Sequence, residues 1–306
     1  MDTVLFTFYG YELHVSYLVG AVLYVVLAPF AGGLIAGIDR KVTARMQGRV
    51  GPPILQPFYD VAKLFGKEKI TVNNAQDFYV MCTLIFMVIS GVFFFSGSNL
   101  LMMIFTLTAA SIFLVLAGYS SNSPYAQIGA ERELLQMMAY EPMVLLSAVG
   151  FYMACGSFNV GDIVMSDAFS FKYLIGMFIG YLFIITIKLR KSPFDLSMSH
   201  HAHQELVKGL TTEFSGRTLG ILEISHWYEN VFLLGFIFLF FARGSLPYTI
   251  LGVAVVIVCY FVEILIDNGY ARMKWQFTIK SAWIVTLIFG GGNLFVLYYL
   301  QPILAR

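Results

Sequence analysis

Long apolar runs recur along this chain and restrict its fold more than any other feature. Each is about 20 residues long, enough to cross a bilayer as a helix, and none alternates in the manner of a barrel strand. With 58% hydrophobic and 12% charged residues, the 306-residue chain is too apolar for a soluble domain. Lipid cannot satisfy backbone polar groups. We therefore predict an all-α integral membrane protein that forms a single polytopic domain over residues 1–306.

About eight transmembrane helices are predicted from these runs. They cover residues 15–37, 78–95, 100–119, 134–154, 173–189, 231–242, 248–266 and 281–300. The sixth run is short, so we expect its helix to extend toward Trp227. The first run lacks a basic flank and a small-residue cleavage site, so we expect a retained helix and not a signal peptide.

Lysine and arginine residues fall almost entirely in alternate loops. All but Lys172, Arg243 and Arg306 of the 19 lie in residues 39–77, 120–133, 188–229 and 267–280. Because loops rich in these residues stay in the cytoplasm, we predict that these four loops are cytoplasmic and that both termini lie outside. So much chain on one face of the membrane is typical of a subunit that docks a partner there.

The loop at residues 188–229 is a long polar interruption in an apolar chain. It holds four of the five histidines and five carboxylates: His200, His201, His203, His226, Asp195, Glu205, Glu213, Glu223 and Glu229. The rule that retains basic loops in the cytoplasm explains lysines and arginines but not these residues. We therefore expect function to concentrate in this loop.

The loop at residues 39–77 contains a predicted bend and a predicted short helix. Gly51-Pro52-Pro53 predicts the bend. After it, Pro57 is typical of a first helical turn, and the apolar residues 58, 61, 64 and 65 recur at helical spacing. This pattern predicts an amphipathic helix on the cytoplasmic side, which either supports a partner or serves as a strut at the membrane surface.

Five sequence motifs occur in a fixed order along the four cytoplasmic loops. They are RVGPPILQPFYDVAKLFGKE (49–68), IGAERELLQMMAYEP (128–142), KSPFDL (191–196), QELVKGLTTEFSG (204–216) and NGYARMKWQ (268–276). In this order they resemble the membrane subunit that joins the soluble arm to the membrane arm in respiratory complex I and in energy-converting [NiFe] hydrogenases.

One departure from the complex I pattern favours the hydrogenase branch of this resemblance. In complex I, acidic residues beside the quinone chamber follow the PFDL motif closely, whereas residues 197–203 here read SMSHHAH. This histidine-rich stretch is similar to that of hydrogenases that oxidise ferredoxin and use no quinone. The resemblance implies no cofactor in this chain. It implies [NiFe] and iron–sulfur clusters in a large and a small partner subunit on the cytoplasmic face, and an antiporter-like neighbour in the bilayer.

Three alternatives stay open at this point. The chain could be the quinone-site subunit of a complex I-like dehydrogenase, with a quinone cavity between residues 39–77 and 188–229. Formate-linked and sulfur-reducing relatives differ from the hydrogenase mainly in their partner subunits. A secondary transporter would show an inverted repeat, which we do not find. The sequence has no basic patch typical of nucleic-acid binding.

Ionisable residues in or near the spans are the candidates for a proton path, because a charge at membrane depth costs free energy and persists where it has a function. By resemblance, Glu141, Glu205, Glu213 and Arg132 match the acidic entry to the membrane arm. Glu229 and Glu263 are added on physical grounds, since both lie at or within predicted spans. Residues expected to dock the partner are Arg49, Gln56, Asp60, Asp195, His200, His201 and His203.

Other polar and reactive residues have plainer interpretations. We expect Asp39, Asp60, Glu131 and Glu133 to form structural ion pairs, with Arg132 as the adjacent cation for the two glutamates. The clustered histidines 200, 201 and 203 can bind a metal, dock a partner in a pH-sensitive manner or make simple polar contacts. The three cysteines lie alone in apolar runs, where packing is expected.

Overall fold

The computed structural model describes residues 4–8, 11–68, 73–166, 169–198, 206 and 208–304, and these are almost entirely helical. A small antiparallel pair of strands, β1 (Val4–Phe8) and β2 (Tyr11–His14), precedes the first helix, with Phe8 opposite Tyr11. The predicted all-α membrane fold is confirmed, with this pair of strands as an addition that the apolar runs did not indicate.

The first half of the chain forms a group of long helices and one short one. In order they are α1 (Val15–Met46), α2 (Gln56–Phe65), α3 (Asn74–Phe95), α4 (Leu100–Tyr119) and α5 (Pro124–Cys155). All except α2 are long and apolar enough to cross a membrane.

The second half begins with shorter pieces and ends with two further long segments. They are α6 (Val160–Met165), α7 (Ser170–Tyr173), α8 (Ile175–Lys188), a 3₁₀ turn (Gly209–Thr211), α9 (Gly216–Leu239), α10 (Leu246–Gly269), α11 (Trp275–Val285), a π-helical segment (Thr286–Gly291) and α12 (Gly292–Leu304). Of these, α10 and the run from α11 to α12 are again long and apolar enough to span.

Two predicted spans, the fifth and the sixth, correspond to helices that fall outside this group. Helix α8 has only 14 residues, and its first turn is completed by Asn293 of α12: the Met177 N–H donates to Asn293 Oδ1 at 3.1 Å, and Asn293 Nδ2 donates to the Tyr173 carbonyl at 2.9 Å. Helix α9 does extend past Trp227 as expected, but its first half is charged. The count of eight spans and the side on which the termini lie therefore stay predictions.

Aromatic side chains fill the core between α5, α8 and α9. The ring centroids of Tyr181 and Phe236 lie 4.6 Å apart, and those of Phe151 and Phe240 lie 4.8 Å apart. Helices α1 and α9 approach so closely that a Cβ atom on Gly32 would lie 2.3 Å from the Trp227 carbonyl oxygen. This close packing fixes where the polar ends of the helices meet.

The bend and the amphipathic helix predicted for residues 39–77 are both present. Gly51 has a φ of +76°, which favours glycine, and α2 begins with Gln56-Pro57. The apolar face of α2 packs on α1 and α9, where the Phe58 ring lies 5.1 Å from Trp227 and 6.5 Å from Phe30. Helix α2 is thus fastened to the two helices beneath it.

Two predicted loops are partly helical. Helix α5 already begins at Pro124, within the predicted loop 120–133, and α9 begins at Gly216, within the predicted loop 188–229. At 1.5 Å per residue, the 32 residues of α5 extend about 48 Å, well beyond the ~30 Å hydrocarbon core. Hydropathy marks the part of a helix that lies in lipid, and it does not mark where the helix ends.

The 3₁₀ turn rests directly on α5, at Gly129. A Cβ atom on Gly129 would lie 2.2 Å from the Leu210 nitrogen. We expect Gly129→Ala to push the turn away and to cost about 1–3 kcal/mol of stability by overpacking. The measurement is the thermal midpoint of the purified protein in detergent, with Gly269→Ala as the control, because a Cβ at Gly269 meets nothing within 4 Å. Equal midpoints for the two variants would contradict the prediction.

Candidate functional site

Where α8 ends, three cations within four residues each pair with a buried carboxylate of a different helix. The nitrogen–oxygen distances are 3.0 Å for Lys188 with Glu229 of α9, 2.7 Å for Arg190 with Glu133 of α5, and 2.8 Å for Lys191 with Asp39 of α1. The start of the polar interruption is therefore bound electrostatically to three helices at once.

Lys188 is almost fully buried, at 5% exposure, and its ammonium group is surrounded by acceptors. Besides Glu229, Nζ donates to the Tyr140 hydroxyl at 2.8 Å and to Ser111 Oγ at 3.0 Å. It also lies 4.5 Å from the centroid of the Tyr140 ring. A buried charge with so many partners remains charged and holds α4, α5, α8 and α9 together.

Arg190 links two of the buried carboxylates. Its guanidinium group donates two hydrogen bonds to Glu133, from Nη2 at 2.7 Å and from Nε at 3.3 Å, and its Nη1 lies 3.6 Å from Glu229 Oε2. The same Nη1 lies 3.0 Å from His226 Nε2. Burial lowers the pKa of Arg190, but Glu133 and Glu229 outweigh burial and hold it above its usual value. Arg190 is thus a permanent positive charge at the centre of the site.

Lys191 forms a second cluster on the opposite side of the loop. Both the Lys191 ammonium group and the Tyr260 hydroxyl donate to Asp39 Oδ2, at 2.8 and 3.2 Å. Glu263, also on α10, is only 2% exposed, and its Oε2 has no hydrogen-bond partner among the residues that the structure describes. This cluster brings carboxylates of α1 and α10 next to one ammonium group.

The KSPFDL segment is tied to the connector between α10 and α11. The Ser192 N–H donates to Asp267 Oδ1 at 2.8 Å, its hydroxyl donates to the Tyr270 carbonyl at 3.0 Å, and the Met273 N–H donates to the Pro193 carbonyl at 3.0 Å. Ser197 continues the contact inward by donating its hydroxyl hydrogen to Glu133. A displacement of this segment from outside would therefore be felt at the buried ion pairs.

A cavity of about 320 Å³ lies between residues 39–40 at the end of α1 and the polar interruption. This is where the quinone alternative expects a cavity. Charged and titratable side chains form much of its wall, among them Asp39, Arg40, Lys188, Arg190, Glu223 and His226. Such a lining suits water and protons better than an apolar ring.

The structure brings three of the predicted site residues, Glu229, Glu263 and Asp195, to the helix ends around these clusters. Arg132 is half-buried in the wall of a wider groove of about 790 Å³, which Asp195 also lines. Glu141 is half-buried within α5, and its Oε1 is a buried atom with no hydrogen-bond partner in the described part of the chain.

The remaining predicted residues lie elsewhere. Glu213 is exposed beside Gln76, away from the ion pairs. Arg49 is exposed. Gln56 donates to Asp60 at 2.9 Å, and Asp60 pairs with Arg40 at 2.7 Å, which confirms the structural ion pair expected for Asp60. Glu205, His200, His201 and His203 lie outside the described residues.

Sequence reasoning missed the cations. Membrane insertion alone accounts for the presence of Lys188, Arg190 and Lys191 in a cytoplasmic loop, yet their offsets of two and three residues point to different neighbours. Glu133 was expected to pair with the adjacent Arg132, but it pairs with Arg190, 57 residues away. Adjacent residues on a helix point in different directions, so sequence neighbours are poor candidates for a buried pair.

The described residues contain no group of histidine, cysteine and carboxylate side chains arranged to hold a metal ion. Cys82, Cys155 and Cys259 are unpaired, and Cys259 is buried in α10. The histidines proposed as alternative metal ligands lie outside the described residues, so that alternative stays a prediction.

Asp195 is expected to make the KSPFDL segment sensitive to pH. Burial raises its pKa from 3.8 to about 7, with Asp267 adding to the shift and Arg272, at 3.2 Å, opposing it. A folded-state pKa above the unfolded value stabilises the fold fully below the unfolded pKa, and this stabilisation is lost as pH rises through about 7.

Hydrogen exchange at residues 194–198, corrected for the intrinsic rate, should therefore show less protection at about pH 8 than at about pH 5. Asp195→Asn should remove this dependence, because an amide does not titrate. Asp162→Asn, at an exposed position in α6, serves as the control and should keep the wild-type profile. An Asp195→Asn profile identical to wild type would contradict the assignment.

The fold and the buried ion pairs define a multi-pass subunit of the cell membrane whose polar face is electrostatically bound to its membrane helices. The chain belongs to the NADH dehydrogenase family, which it matches over residues 19–298. It is therefore a membrane subunit of the complex I-like class, as the five motifs predicted.

Relatives of two kinds resemble this chain over most of its length. An NADH-quinone oxidoreductase membrane protein from Bacillus cytotoxicus is 30% identical over 90% of both chains. Hydrogenase-4 component C from Escherichia coli is 27% identical over 86% of this chain and 90% of its own. Among solved structures, a chain of the membrane-bound sulfane sulfur reductase, an archaeal respiratory membrane complex, superposes with a TM-score of 0.81 and 28% identity, covering 92% of this chain and 100% of its own.

Proposed function

We propose that this chain anchors a soluble [NiFe] and iron–sulfur module to the membrane and couples ferredoxin-dependent hydrogen evolution to the translocation of protons or sodium ions. The clusters would lie in a large and a small partner subunit on the cytoplasmic face, and this chain would hold no redox centre. An antiporter-like neighbour would move the ion. The observation that carries the proposal is the set of three buried ion pairs directly beneath the docking loop.

These ion pairs offer a physical route from docking to protonation. The proton affinity of a buried carboxylate depends steeply on the distance to its cation. Arg190 and Lys191 lie on the segment that Ser192 and Ser197 tie to its surroundings. A shift of this segment, driven by a charge change in the docked module, would alter the proton affinity of Glu133, Glu229 and Asp39 together.

The lining of the 320 Å³ cavity supports the hydrogenase over the quinone alternative. A quinone ring is held mainly by apolar and aromatic side chains, with few polar groups. Here Asp39, Arg40, Arg190 and His226 line the cavity, and burying them against an apolar ring would remove their hydration.

A second candidate is a sulfur-reducing complex. The structural likeness to the sulfane sulfur reductase chain favours it. It would use the same membrane subunit with a different soluble module, so the two candidates differ in the partner's chemistry.

Purification of the complex through a tag on this chain would separate these candidates. We expect mass spectrometry to identify a [NiFe] large subunit and an iron–sulfur subunit, metal analysis to find nickel, and the complex to evolve hydrogen from reduced ferredoxin. Quinone in the organic extract without nickel would favour the dehydrogenase, and reduction of sulfane sulfur without hydrogen evolution would favour the sulfur-reducing complex. Either result would overturn the proposal.

A further inference from the structure

One face of α10 carries a row of ionisable groups that the three ion pairs do not account for. Tyr260, Glu263 and Asp267 are spaced at i, i+3 and i+7, so they share this face. The face is directed at α1 and at the start of the polar interruption, because Tyr260 donates to Asp39 and Asp267 accepts from the Ser192 N–H.

The charges on this face do not balance. Lys191 and Asp267 are the charged groups that act on Glu263, and the Lys191 ammonium group is bonded to Asp39 at 2.8 Å. Glu263 Oε2 is left without a hydrogen-bond partner among the described residues. Two ionised carboxylates beside one ammonium group would leave a net buried negative charge, whose free-energy cost is avoided when one carboxyl group keeps its proton.

We propose that Asp39, Lys191 and Glu263 form a site that binds one proton, with Lys191 as the positioning residue that decides which carboxyl group holds it. In the arrangement seen here, Glu263 is the carboxylic acid and Asp39 is the carboxylate bound to Lys191. When the ammonium group moves to Glu263, the proton of Glu263 is released and Asp39 takes up a proton, so the site keeps one proton and the same net charge throughout.

The two carboxyl groups differ in their access to water. The Asp39 side chain is 22% exposed and lines the 320 Å³ cavity, whereas the Glu263 side chain is enclosed by the helices. Asp39 is thus the wet end of the site and Glu263 is the dry end. The other titratable groups around Glu263 are Tyr181 of α8 and Cys259, Tyr260 and Asp267 of α10.

Infrared difference spectroscopy of the purified complex tests the site, because a protonated carboxyl group has a carbonyl band that an ionised one lacks. At neutral pH we expect one such band that is lost in Glu263→Gln and that persists in Asp39→Asn. Lys191→Arg should keep the wild-type band. Lys191→Met should add a second one, because without the cation both carboxyl groups stay protonated. Asp162→Asn, at an exposed position, is the control for non-specific changes.

The proposal is overturned if Glu263→Gln leaves the carbonyl region unchanged while the variant complex is intact by size-exclusion chromatography. It is also overturned if Lys191→Met leaves a single band. The role of this site in ion translocation rests on the proposed function, but the spectra require neither turnover nor a particular partner. A complex without nickel that still shows the band would defeat the proposed function and leave the proton site standing.

Discussion

Replacing Arg190 with methionine is expected to destabilise the protein by about 3–5 kcal/mol, because the substitution leaves Glu133 buried without its cation. The Glu133 and Arg190 side chains are 3% and 12% exposed, so water cannot replace the lost hydrogen bonds. Lys188 would still neutralise Glu229. The measurement is the free energy of unfolding in detergent, or the shift in thermal midpoint where unfolding is irreversible.

Two further variants make this test specific. Arg40→Met breaks the ion pair with Asp60, whose partners are 45% and 39% exposed, and such a pair contributes only about 0–1 kcal/mol. In Arg190→Met combined with Glu133→Gln, no buried charge is left unpaired at this position, so part of the loss should be recovered. If Arg190→Met costs no more than Arg40→Met, the buried pair does not stabilise the fold.

Glu141→Gln is expected to abolish ion translocation while hydrogen evolution by the detergent-solubilised complex continues. Glu141 is the half-buried carboxyl group within α5, and the glutamine side chain keeps its size but cannot carry a proton across the site. Pro142 lacks an N–H, so the Met138 carbonyl is left without its helical hydrogen bond and is open to water.

Reconstituted vesicles, in which hydrogen evolution and the ion gradient are recorded together, give the measurement. Glu131→Gln, at an exposed position ten residues earlier on the same helix, is the matched control and should keep both activities. A full ion gradient in Glu141→Gln would exclude Glu141 from the ion path. Loss of hydrogen evolution as well would point to a structural role for this residue.

Local patterns predicted the features that depend on neighbouring residues. The bend at Gly51-Pro52-Pro53 and helix α2 follow from the restricted φ of proline and from apolar spacing over one or two turns. The extension of α9 past Trp227 was also expected, because the apolar part alone is too short to span. Where the long helices end was less well predicted, because charged residues continue α5 and α9 beyond the lipid.

The sequence by itself determined that this is a helical membrane protein and, through five ordered motifs, which family it belongs to. Hydropathy and motif order are properties of short stretches, so they can be recognised without coordinates. Only the tertiary structure decided which cation meets which carboxylate. The partners of Arg190 and Lys191 lie 57 and 152 residues away, and no local periodicity reports on contacts between helices so distant in sequence. The packing of α1, α5, α9 and α10 around the end of α8 creates these contacts and, with them, the unbalanced charge at Glu263.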